Sequence, residues 1–134
     1  MEVRKINLPV VEDIRGNLAF IQEDSIPFAF KRVYYLFDVP STAFRGGHSH
    51  INQSEFLIPL SGSFEVVTDD GTTKTTHLLN KPNIGLYIPT GIWRELQNFS
   101  SGAVCLVLAS DVFKEEDYIR NYEEFLKNKS TNNL

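Results

Sequence analysis

Between Val3 and Ala109 the chain divides into short runs of β-forming residues bounded by turn formers. The runs are Val3 to Leu8, Asn17 to Gln22, Lys31 to Phe37, Gly46 to His50, Glu55 to Leu60, Ser63 to Thr68, Thr72 to Leu79, Gly85 to Ile88, Trp93 to Asn98 and Ala103 to Ala109. Such a rhythm predicts an all-β fold. The clearest hairpin joins Ser63 to Thr68 with Thr72 to Leu79 through Asp69-Asp70-Gly71, because Asp-Gly supplies the positive φ that tight hairpin turns need. Asp13-Ile14-Arg15-Gly16 reads as a second turn, with Gly16 permitting a reversal before the next strand. After Ser110 the pattern changes: Tyr118, Ile119, Tyr122 and Phe125 recur at helical spacing among charges, so a short amphipathic helix is expected near the C-terminus.

The 134 residues suit one domain spanning 1–134, large enough to bury a core without staples, with 128–134 expected to be a flexible polar tail. A net charge of -4 provides no basic surface, so nucleic acid is not an expected partner. The single cysteine, Cys105, lies in the apolar run Ala103 to Ala109 and reads as a core residue; no intrachain disulfide can form. The N-terminus has no signal-peptide pattern, and no apolar run approaches the roughly 18 residues of a membrane span. A cytoplasmic location without membrane contact is therefore expected.

The candidate chemistry begins at His48-Ser49-His50, with Glu55 five residues after the second histidine and Gly62 seven beyond that. This spacing resembles the first cupin motif. Alternation along a strand turns His48 and His50 to one face, and a Glu on an adjoining strand can meet them. The second cupin motif is present in altered form, with Pro89-Thr90-Gly91 followed by Trp93-Arg94-Glu95 and Asn98. Where the family usually has His stands Arg94, whose guanidinium has no lone pair for a metal. Together the two motifs and the strand rhythm imply a cupin jelly-roll barrel with a short C-terminal α-helix. They also imply acid/base chemistry or anion binding, with no metal and no cofactor. A metal-dependent dioxygenase with His48, His50 and Glu55 as ligands is the contrasting reading.

Further stretches carry a narrower resemblance almost from end to end: Asp13 to Leu18, Ile26-Pro27-Phe28, Lys31 to Asp38, Arg45 to His50, Gly85-Leu86-Tyr87, Trp93-Arg94-Glu95, Leu106 to Asp111 and Glu116 to Tyr122. Their order is similar to that of the sugar 3,4-ketoisomerase group of cupins, acting on dTDP-4-keto-6-deoxyglucose in deoxyamino-sugar synthesis. The resemblance implies a metal-free homodimer that converts a dTDP-linked 4-keto-6-deoxyhexose into its 3-keto isomer. A dTDP-sugar 3,5-epimerase and a non-catalytic sugar-nucleotide-binding barrel are the alternatives.

Moving a carbonyl from C4 to C3 requires a group that takes and returns a proton near neutral pH, and histidine, with a pKa of about 6.5, does both. His50 is the expected main base and His48 its partner. Either Tyr34 or Tyr35 is expected to face the site, since alternation allows only one. Arg94 and Arg45 are candidates for stabilising charge on the enediolate oxygen. Arg15, Arg32 and Arg45 are candidates for the diphosphate, through forked hydrogen bonds. Glu55 would tune the histidines, and Trp93 and Tyr87 would stack on thymine or pack on the sugar. His77, isolated in its hairpin, is expected to have no chemistry. Arg94 in place of an imidazole removes one proton carrier, which leaves open whether the product is the gluco or galacto 3-keto sugar.

Overall fold

A computed structural model describes residues 2–132. All ten predicted strand regions carry strands. In chain order they are β1 (Arg4–Asn7), β2 (Val10–Val11), β3 (Leu18–Ala19), β4 (Arg32–Leu36), β5 (Arg45–His50), β6 (Glu55–Ser61), β7 (Phe64–Asp69), β8 (Lys74–Leu79), β9 (Ile84–Ile88), β10 (Trp93–Gln97), β11 (Val104–Ala109) and β12 (Tyr118–Ile119). Two five-stranded antiparallel sheets, ordered β1-β9-β6-β11-β4 and β12-β5-β10-β7-β8, carry ten of these, while β2 and β3 form a separate ribbon. The cupin jelly-roll architecture expected from sequence is therefore the observed one, and no described helix is long and apolar enough to cross a membrane.

Alternation sorts the first sheet into two environments. Leu57 of β6, Leu86 and Ile88 of β9, and Cys105 and Val107 of β11 join Phe64, Val66, Leu79 and Leu96 in the main core. Their neighbours Phe56, Ile58, Tyr87 and Leu108 face the other way, where Leu8 and Ile26 of the N-terminal segment bury them. Gly85 is required at this second layer: a Cβ there would lie 2.3 Å from the Phe56 ring. Burying a Phe or Leu stabilises by roughly 1.5 to 3 kcal/mol, so each layer holds the sheet firmly.

The predicted β7–β8 hairpin turns where expected, with Asp70 Oδ1 accepting from the Thr72 and Thr73 N–H groups and Gly71 at φ 96°. The C-terminal region departs from expectation. Tyr118 and Ile119 are not helical; they form β12, pairing Tyr118 with His50 and Ile119 with Ser49. The helix α1 starts at Tyr122 and runs to Asn132, so most of the expected tail is helical, and residues 133–134 lie outside the described residues. Phe125, fully buried, anchors α1 against Trp93, their rings 5.7 Å apart.

Candidate active site

A cavity of about 470 Å³ opens between the sheets, and β4, β5, β6 and β10 deliver its polar wall. From β4 come Arg32, Tyr34 and Leu36, whose odd-numbered neighbours turn outward; from β6 come Glu55 and Leu57, and from β10 Arg94 and Leu96. Strand β5 needs a special device. Its ladder with β10 pairs His48 with Arg94 but Arg45 with Leu96, so Gly46 and Gly47 stand opposite the single residue Glu95. Gly46 takes φ 77° in this bulge. The extra residue reverses the alternation, and Arg45 joins His48 on the cavity wall despite odd spacing.

His48 and His50 meet edge to face, ring centroids 4.8 Å apart, with their Nε2 atoms at 3.2 Å. His48 lines the cavity, whereas His50 is fully buried behind it. The Nε2 atom of His50 lies 3.6 Å from Glu55 Oε1, and its Nδ1 lies 3.0 Å from Asp117 Oδ2. Glu55 is fully engaged as well: Tyr34 Oη donates to its Oε2 at 2.6 Å and Arg94 Nη1 to its Oε1. The Arg94 guanidinium also donates twice to the Ile92 carbonyl, leaving two of its five N–H groups for a ligand.

These contacts decide the charge states. Burial, reinforced by the positive charge of Arg94, depresses the His48 pKa to about 2, so this ring is neutral at physiological pH. Burial pushes the Glu55 carboxyl up, yet the facing His50 ring, the Arg94 charge and the Tyr34 hydroxyl overcome it and hold the pKa at about 2. Desolvation, with the Glu55 charge beside it, drives the Tyr34 phenol upward, so Tyr34 remains a donor. Both depressed groups bind more protons unfolded than folded as pH falls. Stability is therefore expected to decline as pH drops below about 6.5, where an unfolded His48 charges, and further below about 4.5, where an unfolded Glu55 protonates. Urea midpoints recorded from pH 7 to pH 4 should fall, and His48→Asn should flatten the upper part of that curve.

Of the other candidates, Arg32 is on the wall: its Nη2 donates to Gln53 Oε1 and Tyr118 Oη, and its buried Nε has no partner. Four expected residues stand elsewhere. Tyr35 is 60% exposed on the outer side of β4, so Tyr34 is the tyrosine that faces the site. Trp93 neighbours Arg94 on β10 and so points to the opposite face, beneath Tyr122 and Phe125. Tyr87 is buried in the N-terminal layer, 6.1 Å from Phe28. Arg15 is 86% exposed and folded onto Asp13 of its own turn. His77 bonds Thr68 on the neighbouring strand, away from this wall.

Three contributors were not anticipated, and one short segment supplies them all. Asp117 lies behind His50; Tyr118 packs its ring 4.9 Å from His48 and 4.4 Å from His50; Arg120, ion-paired with Glu115, stacks over Tyr118 at the cavity. Expecting Tyr118 on a helix face hid this, although Glu116 to Tyr122 was among the stretches carrying the resemblance. A cation is the remaining question for the donor set. His48, His50 and Glu55 bring ligand atoms within 4.8 Å of one another. An ion there would have to compete with Arg94, already bonded to Glu55, and would sit beside a permanent positive charge. The residues present do not fit a resident metal.

The comparisons with known proteins converge on one group. The model of the family described as FdtA, WxcM-like, C-terminal, matches residues 1–130. The chain is 44% identical over 128 residues, 95% of its length and 92% of the relative's, to the TDP-4-oxo-6-deoxy-alpha-D-glucose-3,4-oxoisomerase of Aneurinibacillus thermoaerophilus. A crystal structure of a 3,4-ketoisomerase from Helicobacter canadensis is 43% identical, with TM-score 0.94, covering 97% of this chain and 98% of that one. A histidine-to-asparagine variant of the 3,4-ketoisomerase QdtA from Thermoanaerobacterium thermosaccharolyticum, solved with TDP-4-keto-6-deoxyglucose, is 38% identical, with TM-score 0.93, covering 96% and 94%.

Proposed function

The chain belongs to the FdtA family of WxcM-like C-terminal domains, and from that membership we propose that it is an isomerase moving the carbonyl of a dTDP-linked 4-keto-6-deoxyhexose from C4 to C3. The observation that carries this reading is the His48–His50 pair, two imidazoles with facing nitrogens at 3.2 Å beside a cavity walled by Arg32, Arg45, Arg94 and Arg120. A cavity of about 470 Å³ is ample for a hexose and its phosphates.

The chemistry follows from the charges. Removal of the C3 proton forms the C3=C4 double bond while the C4 carbonyl pair moves to O4; the O3 proton passes to O4, O3 becomes the carbonyl, and C4 receives a proton. His48, on the wall, meets the sugar but is a poor final store for a proton because its pKa is so low. His50, flanked by Asp117 and Glu55, takes the charge behind it. The pair therefore works as one unit, extending the sequence-based assignment of His50 as base. The free N–H groups of Arg94 stabilise the developing negative charge on oxygen, and the Tyr34 hydroxyl keeps Glu55 in place; one lost donor of the first kind typically costs about 2.7 to 4 kcal/mol. No step needs a metal.

Arg45 and Arg120 hold the diphosphate, Arg120 through the N–H groups that its Nε and Nη2 bonds to Glu115 leave over. Arg120→Ala is expected to raise KM and the TDP dissociation constant about tenfold, roughly the loss of one charge-assisted bond, with kcat changed much less. The protein also works as a homodimer. Strand β4 is the edge of its sheet, and its outer row, Val33 and Tyr35, is at least half exposed, as is Phe37 just beyond it. Light scattering should give twice 15.3 kDa, and a monomeric mass would remove this assignment.

The test of the activity is an NMR time course of chelator-treated protein with dTDP-4-keto-6-deoxyglucose in deuterated water. A 3-keto product with deuterium at C4 supports the isomerase, and the H4 coupling reports gluco or galacto configuration. Exchange at C3 and C5 with the carbonyl still at C4 would instead mark a 3,5-epimerase. Bound nucleotide without exchange would mark a binding barrel, and activity lost with metal and restored by it would mark a metal cupin.

A further inference from the structure

We propose that Asp117 is the positioning residue that gives the His48–His50 pair its direction, by holding the proton on Nδ1 of His50. Asp117 is 67 residues from His50 in the chain and is carried to it by the single 3-10 turn Glu115–Asp117 and by the pairing of β12 with β5. It is buried, and among the described residues the side chain it meets at ion-pair distance is the His50 ring. Its two oxygens instead accept from three groups: Oδ1 from the Asn52 N–H at 2.6 Å, and Oδ2 from the Gln53 N–H at 3.2 Å and from His50 Nδ1 at 3.0 Å.

A backbone N–H is always a donor, and a carboxylate oxygen is always an acceptor, so the two amides fix both oxygens as acceptors and leave His50 Nδ1 the role of donor. A neutral His50 then carries its lone pair on Nε2. The atom facing that lone pair, 3.2 Å away, is Nε2 of His48, which must therefore carry its own proton there. For a neutral pair, this is the one arrangement that satisfies Asp117 and both facing nitrogens. Nδ1 is the nitrogen left to His48, the ring of the pair that lines the cavity. When it takes a proton from substrate, the bridging proton crosses to His50 Nε2, and Glu55 Oε1 at 3.6 Å and Asp117 Oδ2 bracket the resulting imidazolium. Return of the proton reverses the same two transfers. The histidine-orienting carboxylate of a Ser-His-Asp triad does comparable work, holding one tautomer without itself gaining a proton.

Asparagine at this position cannot reproduce the pattern. With its oxygen kept toward Asn52, its amide N–H₂ points at Gln53 N–H and at His50 Nδ1, and the latter can respond only by turning to the other tautomer. With the oxygen toward His50, the amide clashes with the Asn52 N–H, the shortest of the three bonds.

The relay step rests on the isomerase reading, whereas the tautomer does not, and two measurements keep them apart. Nitrogen-15 NMR of the ring nitrogens in the free full-length protein, with only three histidines to assign, should find His50 protonated at Nδ1 in the wild type and shifted to the Nε2–H tautomer in Asp117→Asn. An unprotonated Nδ1 in the wild type overturns the proposal without any variant. In turnover assays Asp117→Asn should lower kcat about 10²- to 10⁴-fold, the contribution typical of a correctly protonated acid–base group, with KM and TDP affinity nearly unchanged. An unchanged kcat, or a loss shared equally with TDP binding, would reduce Asp117 to a tie for the 51–53 loop. A wild type without isomerase activity but with the expected tautomer would sink the functional reading and leave the role of Asp117 standing.

Discussion

His50→Asn is expected to remove turnover, by about 10²- to 10⁴-fold in kcat, while TDP binding stays nearly unchanged. The reason lies in which atoms asparagine keeps. Its side-chain N–H₂ can stand where His50 Nδ1 stands and continue to donate to Asp117, so the buried end of the site survives. What it lacks is the Nε2 atom, the one that meets His48 at 3.2 Å and takes the bridging proton. His48 alone then has no partner to relieve it of a proton that it cannot hold near neutral pH. The arginines at the cavity are untouched, so binding should persist. The check is a pair of measurements on one preparation: kcat by NMR or coupled assay, and the TDP dissociation constant by calorimetry. Turnover within tenfold of wild type would mean that protons move without His50, and the pair would no longer be the reacting unit.

Arg94→Met should cost about 3 to 5 kcal/mol of stability, the penalty typical of stripping one partner from a buried ion pair. Arg94 and Glu55 are 1% and 2% exposed, and the methionine would fill much of the volume while leaving the carboxylate without its counter-charge. Glu55 would keep Tyr34 and the His50 ring as partners, which are insufficient to offset desolvation of a full charge. The second variant that isolates this cause is Arg94→Met combined with Glu55→Gln. Urea unfolding should show the double variant more stable than Arg94→Met alone, because the unpaired charge has gone. Equal stabilities would mean that the loss comes from packing around the guanidinium and not from the ion pair.

Some of what was missed could have been deduced from neighbours. Once Arg94 is placed inward, alternation forces Trp93 outward, so the stacking role expected of Trp93 conflicted with the role expected of Arg94. The covering helix shows why a tryptophan is there: Tyr122 and Phe125 pack on it. Tyr87 is different. Its outward face becomes a buried layer only because the N-terminal segment returns across the sheet, and nothing local to Gly85-Leu86-Tyr87 reveals that. Arg15 reads as a phosphate ligand by residue type, yet in its turn the nearest anion is Asp13, two residues away, and the pair closes on itself in solvent. Such exposed pairs contribute little to stability.

Ten of the twelve described strands, the β7–β8 hairpin and the set His48, His50, Glu55 and Arg94 were legible in the sequence, because these depend on short-range rules: β-propensity, the positive φ of Asp-Gly, and the two-residue period that turns both histidines one way. Tertiary structure alone decided the rest. It chose Tyr34 over Tyr35 by setting which face of β4 meets the core. It brought Arg45 inward through the bulge at Gly46, a register shift that exists only once β5 is paired with β10. It also carried Asp117, Tyr118 and Arg120 to the histidines by laying β12 along β5, a pairing of residues 67 or more apart in the chain that no local pattern encodes. Propensity and periodicity act between near neighbours, whereas the second half of this site is held by hydrogen bonds and ring contacts that form only when distant segments have packed.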